Sequence, residues 1–272
     1  MRRQRHADPV IQVPIDETAS SRYNELAVFT LPPLKGEGDR AAAEGFLFPA
    51  PSAKKQKERG PMRTQEQVNE IVRLLLEEYP EASCTLDYGQ AYELLFSVRL
   101  AAQCTDERVN QITPALFARF PTLESFAEAD VAEVEQYVHS CGFFRAKARD
   151  IVACAQVLIS KHGGQVPRTM EALTALPGVG RKTANLILGD VYRVPGSVVV
   201  DTHCIRLSNR LGLVDNLKDP PKIEAALRKI LPPERSSDFC HCIVLHGRAV
   251  CDARKPNCEA CCVKHLCQHF SG

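Results

Sequence analysis

An all-α fold is predicted by three features of this 272-residue sequence. Apolar residues recur at helical spacing, capping residues precede those stripes, and only one run, SVVV at 197–200, reads as extended and is too short to build a sheet. Thr64 with Gln67 forms a capping box ahead of Val68, Ile71, Val72, Leu75 and Tyr79, which share one helical face. Ala91, Leu94, Leu95, Val98 and Ala102 make a second stripe. Asp130 with Glu133 starts a short helix that Gly142 stops. Ala148, Ile151, Val152, Ala155, Leu158 and Ile159 mark a longer one, ended by Gly163 and Gly164. Further helices are predicted near 170–175, 181–189, 202–211, 221–230 and 237–249.

Residues 1–61 differ from the rest, holding seven of the eighteen prolines with no sustained period and ending in the charge run and breaker KKQKERGP. They read as a disordered extension or linker, or as sequence preceding a true start at Met62. The formal charge is only +1, so affinity for a polyanion has to come from local patterning and backbone donors. Trp is absent, which excludes indole stacking on a base. No secretory signal follows Arg2, Arg3 and Arg5, and no apolar run approaches the roughly 20 residues needed to cross a bilayer. Acidic residues such as Asp8, Asp16, Glu17 and Glu25 also argue against an organelle-import leader. The twelve cysteines are therefore read as reduced thiols plus one metal site rather than as a disulfide scaffold.

In TALPGVGRKTANLILGD, Pro177 blocks continuation of one helix, Gly178 and Gly180 permit a tight turn, and a second helix begins near Arg181. Free N–H groups at that start suit a phosphate oxygen, whether or not the turn is simply a packing corner. A Walker loop is excluded because Ala175 stands at its first glycine and Arg181 precedes Lys182. A dinucleotide fingerprint fails at Thr183. Lys182 falls in the first helical turn, where the dipole opposes protonation and burial lowers an amine's pKa, so it is either a nucleophile or a phosphate contact. Asp201, in VVVDTH, is an evident N-cap and a candidate catalytic carboxylate.

Cys251, Cys258, Cys261 and Cys267 have the spacing C-x6-C-x2-C-x5-C, and four adjacent thiolates require a neutralising metal, zinc or iron–sulfur. Cys262 is an alternative to Cys261. Arg254 and Lys255 between the first two cysteines, with Arg248 and Lys264, form a basic patch fit for DNA phosphate.

LPGVGRKTAN, VDTH and the terminal cysteine array, in that order, resemble the endonuclease III family of helix-hairpin-helix DNA glycosylases, with likeness across 62–272 including LAAQCTD and LHGRAVCDARKPNC. The resemblance implies two helical domains flanking a DNA cleft. One is a six-helix domain with the hairpin at 84–195; the other is an iron–sulfur domain at 62–83 and 196–272, holding a [4Fe–4S] cluster on the four cysteines. It implies Lys182 as nucleophile, Asp201 as essential carboxylate, and Gly178, Val179, Gly180, Arg181, Arg254 and Lys255 as DNA contacts. It also implies that Gln103 and Phe143 fill the gap left by an extruded nucleotide; the family often has leucine at the second position, and an aromatic face still stacks there. The expected protein is a bifunctional glycosylase and abasic-site lyase acting on oxidised pyrimidines in double-stranded DNA, a monomer in the bacterial cytoplasm with no membrane partner. An adenine-excising relative and a non-catalytic DNA-binding module are the alternatives. The first usually lacks the lysine and has a further C-terminal domain, whereas this chain ends five residues after Cys267.

Overall fold

The computed structural model describes residues 63–271, so residues 1–61 and the readings made of them lie outside the described residues. The described part belongs to one compact unit, 57–272. Its elements are α1 (Gln65–Glu78), α2 (Ala91–Ala101), α3 (Asp106–Arg119), α4 (Leu123–Ala127), α5 (Val131–Val138), α6 (Phe144–His162), α7 (Met170–Thr174), α8 (Arg181–Asp190), α9 (Thr202–Leu211), α10 (Pro220–Ile230), α11 (Ser236–Ala249) and α12 (Gln268–Ser271), with short 3-10 turns between some of them. No strand occurs among the described residues, and 197–200 run as irregular chain with Val199 N–H donating to Cys240 Sγ.

Local chemistry explains most of the starts. Thr64 and Gln67 form the reciprocal capping box of α1, burying Val68, Ile71, Val72 and Leu75. Asp130 caps α5 through the Ala132 N–H, while Glu133 does not close a box but pairs with Arg119 at 2.6 Å. Gly163, at φ +59, ends α6 in the left-handed conformation that glycine adopts most readily.

Helices α3 and α4 are absent from the sequence reading. Pro114 lies inside α3 and hid it, although Thr105 caps it by accepting from Arg108 N–H. Helix α4 has five residues, too few to show a period, yet its Phe126 is fully buried. Phe126 meets Phe96 and Phe120 at ring separations of 5.1 Å, so tertiary packing rather than propensity holds this short helix.

Buried apolar side chains form two clusters. One draws on residues from Leu86 to Leu188, carried by α2 through α8. The other combines Val68–Leu75 of α1 with residues from Val198 to Cys267. Polar pairs cross between them: Arg181 with Glu224, Arg228 with Asn185, and His241 with Asp190. Gly189 sits where α8 meets α11 so closely that a Cβ would lie 2.5 Å from Ser237 Oγ.

Candidate active site and nucleic-acid interface

The turn between α7 and α8 is built on a buttress. Gly178 has φ +73, and a Cβ there would stand 2.8 Å from Arg99 Nε and 2.9 Å from Asp150 Oδ2, which pair with each other beneath it. Glycine is therefore required at 178 for both backbone and space. Gly180 differs from the sequence expectation. Its φ of −101 is open to any residue, and a Cβ would meet nothing within 4 Å. What glycine provides at 180 is a clear approach to the first turn of α8, whose N-cap makes no side-chain hydrogen bond.

Arg181 is tied rather than free. Its Nε and Nη2 donate to Glu224 Oε2 and Oε1 at 3.1 and 2.7 Å, and Arg228 adds a contact at 3.3 Å. Burial pushes the Glu224 carboxyl up, but bonds from Arg181 and Asn185 and the two guanidinium charges outweigh it and hold the group below its ordinary range. The Arg181 side chain thus also anchors α8 to α10 while staying half-exposed, and its backbone N–H lies at the helix start.

Lys182, one residue on, is exposed. It lines an open cleft of about 340 Å³ together with Asp201, His241 and Arg248, over an apolar floor that includes Val98, Leu186 and Val199. Asp201 is the N-cap of α9, its Oδ1 accepting from Cys204 N–H at 2.7 Å. Capping and a cleft position coexist, with one carboxylate oxygen held by the helix. His203 stands near; burial lowers its pKa most, Asp201 opposes that, and Arg206, Arg248 and Lys182 lower it further. Sequence reasoning passed over His241 and placed Arg248 in the cysteine-loop patch, whereas Arg248 faces this cleft and lies 4.0 Å from Asp106.

Gln103 and Phe143 share an unusual backbone. Their φ values are +56 and +46, in the left-handed region where non-glycine residues are strained, and both are exposed, Phe143 at 72%. No pattern in the sequence signals this, though Gly142 next to Phe143 hints at a turn.

The cysteine segment behaves differently. Cys251, Cys258, Cys261 and Cys267 line one cavity, while Cys262 is absent from that lining and packs against the second core. No three His, Cys, Asp or Glu side chains among the described residues close into a tight metal-ion group, and none of the twelve cysteines is in a disulfide. Arg210 Nη1 donates to Cys251 Sγ at 3.2 Å and to Asp252 O at 2.7 Å. His246 Nε2 lies 3.3 Å from Cys261 Sγ, with Tyr79 Oη at its other nitrogen. Burial pushes the Cys261 thiol up to about 11 and raises that of Cys267. In the loop, Asp252 Oδ1 accepts the N–H groups of Arg254 and Lys255, leaving both side chains exposed. Lys264 instead binds Glu259 at 3.0 Å, which removes it from the basic patch expected there.

Comparison with known proteins agrees with this geometry. A family model described as HhH-GPD superfamily base excision DNA repair protein matches residues 96–233. Endonuclease III of Synechocystis sp. is 46% identical over 203 residues, 75% of this chain and 92% of that protein. The Escherichia coli endonuclease III is 38% identical over 200 residues, 74% and 94% of the two chains. A structure of a trapped endonuclease III–DNA covalent intermediate superposes with a TM-score of 0.72 at 38% identity, covering 77% of this chain and 98% of that one. A thermostable thymine-DNA glycosylase, 23% identical, shares the fold at a TM-score of 0.68. The chain belongs to the endonuclease III family within the HhH-GPD superfamily of base excision DNA repair proteins.

Proposed function

We propose that this protein is a bifunctional DNA glycosylase and abasic-site lyase that removes oxidised pyrimidines from double-stranded DNA. The observation that carries the reading is the shared cleft of Lys182 and Asp201, the first on the uncapped start of α8 and the second on the start of α9. The backbone of the turn at Gly178, Val179 and Gly180, where the Val179 N–H is already given to Leu176 O, presents the free N–H groups at the start of α8, and these with the exposed Arg254 and Lys255 grip backbone phosphates. The damaged nucleotide rotates out of the stack, and Gln103 and Phe143 fill the gap; their strained, exposed conformations support that role. DNA closing over the cleft excludes water from the Lys182 amine. Lys182 Nζ then attacks C1′, and the base departs with the glycosidic electron pair and takes up a proton. Asp201 stabilises positive charge developing on the sugar and receives the amine proton. The C1′–O4′ bond then breaks, O4′ taking up a proton, and the resulting Schiff base acidifies C2′, whose proton leaves as the C3′–O bond breaks and the 3′ phosphate is expelled, nicking the strand.

The four cysteines fit a [4Fe–4S] cluster: they line one cavity, with Arg210 and His246 directed at two of the sulfurs. When bound, the cluster holds the 251–267 loop in shape and takes no part in base removal. The two separate cores support domains at 84–195 and at 62–83 with 196–272. No helix among the described residues is long and apolar enough to cross a membrane, and we place the protein in the bacterial cytoplasm as a monomer on the nucleoid.

Borohydride trapping tests the chemistry. Wild-type protein is expected to form a covalent complex with DNA containing thymine glycol, and Lys182→Ala to form none; normal trapping by that variant removes Lys182 from the mechanism. Asp201→Asn is expected to bind DNA and lose most turnover. Release of adenine opposite 8-oxoguanine, in place of thymine glycol, would reassign the protein to the adenine-excising branch, and release of neither would leave a binding module.

A further inference from the structure

Lys147, on α6, is 1% exposed, and no step of the proposed chemistry uses it. A lysine is almost never fully buried without a specific partner set. Here Nζ donates to Leu100 O at 2.9 Å and to Cys141 O at 2.5 Å. Leu100 lies in the last turn of α2, whose terminal carbonyls have no helical partner, and Gln103 follows three residues on. Cys141 closes a 3-10 turn two residues before Phe143. The backbone of Lys147 reaches the same loop, its N–H donating to Phe143 O at 3.2 Å. One residue therefore touches both exposed left-handed loops, from the interior side.

The alternatives for that volume are instructive. A methionine would fill the space without a charge to desolvate, and the α2 carbonyl could be met by water if the loop opened. Burial does work against the charged form, with Cys141 and Cys104 opposing that and Arg99 adding to it. The ammonium instead ties together the two segments of the chain, 100–103 and 141–143, that carry Gln103 and Phe143. Two wedges that must enter one gap in a duplex need a fixed separation, since misplacement by about 1 Å costs on the order of 10²-fold in rate.

We propose that Lys147 is a positioning residue that holds the loops bearing Gln103 and Phe143 in the register required to enter the duplex together. The proposal rests on the gap-filling reading of those two residues. Removing the ammonium leaves the cleft residues Lys182 and Asp201 in place but lets the two loops move apart.

The test compares two substrates under single-turnover conditions: a duplex carrying thymine glycol, and a single strand carrying a preformed abasic site, which has no opposite base and no gap to fill. Lys147→Met is expected to lose about 10²-fold on the duplex and to cleave the single strand at the wild-type rate. Phe143→Ala and Gln103→Ala are expected to show the same duplex-specific loss, and Lys147→Met combined with Phe143→Ala to fall little below either alone. Equal losses on both substrates, or full additivity in the double variant, overturn the positioning role. If Phe143→Ala and Gln103→Ala are both without effect, the gap-filling reading fails instead. Should Lys147→Met not fold, Lys147→Gln, whose amide can still donate to a carbonyl, is read the same way. It is expected to retain more duplex activity than Lys147→Ala, and equal activity of those two overturns the proposal.

Discussion

The glycine turn before α8 and the cysteine segment at 251–267 both face outward, yet they are stabilised in opposite ways. The turn is complete without a ligand: Gly178 is seated on the Arg99–Asp150 pair, and the N–H groups of α8 are set by the helix itself. The cysteine segment has only two 3-10 turns, Cys258–Ala260 and Lys264–Leu266, and its sulfurs surround a cavity. Its carbonyls and sulfurs are held from outside by Arg206, Arg210 and His246. A backbone device can be preformed because helix dipoles and turn geometry are local; a side-chain cage of four thiols needs the group it encloses.

That contrast makes graded predictions. The largest effect is expected in the cage. Cys258→Ser or Cys261→Ser should abolish iron binding and visible cluster absorbance and destabilise the protein by at least about 3 kcal/mol in thermal melts. Cys262→Ser, outside the cavity, should keep its iron. Next comes the turn. Gly178→Ala adds a Cβ against the Arg99–Asp150 pair at positive φ and should cost about 1–3 kcal/mol. Gly180→Ala should leave stability within about 0.5 kcal/mol but weaken duplex binding, because its methyl stands in the path of the phosphate. Measuring melting and binding together separates the two glycines.

The anchor from α8 to α10, next to the turn, should show a pH signature. Glu224 has a folded-state pKa below its ordinary 4.5, so its contribution is present above that value and is lost as pH falls through the lower one. Glu224→Gln is expected to cost about 1 kcal/mol at neutral pH, since Arg181 and Arg228 are half-exposed, and the deficit should vanish in paired melts taken towards pH 3. The smallest stability effect is expected at the cysteine loop's surface. Arg254→Ala and Lys255→Ala should not shift melting, yet each should reduce the salt dependence of DNA binding by about one ion. Lys264→Ala, whose partner is Glu259, should leave that slope unchanged.

Much of the site was legible in the residues because its signals act over short spans. The Thr64 box, the Asp201 cap, Gly178 and the cysteine spacing each depend on neighbours within a turn or a loop. Where the reading departed from the structure, a distant partner decided. Nothing near Arg181 in the sequence signals that its side chain pairs with Glu224, 43 residues away. Lys264 and Arg248 looked like one patch until Glu259 and the cleft separated them. Pro114 concealed α3, and α4 was too short to show a period.

The sequence by itself therefore determined an all-helical chain, its capped helix starts, one glycine turn and one four-cysteine array. Those follow from hydrogen bonding and periodicity along a few consecutive residues. Only the tertiary structure decided that Lys182 and Asp201 share a cleft, and that Gln103 and Phe143 are held in left-handed conformations. It alone buried Lys147, whose side chain reaches a carbonyl 47 residues away. Such pairings exist only once separate helices have packed, because desolvation and long-range contact, not local propensity, determine which polar group meets which.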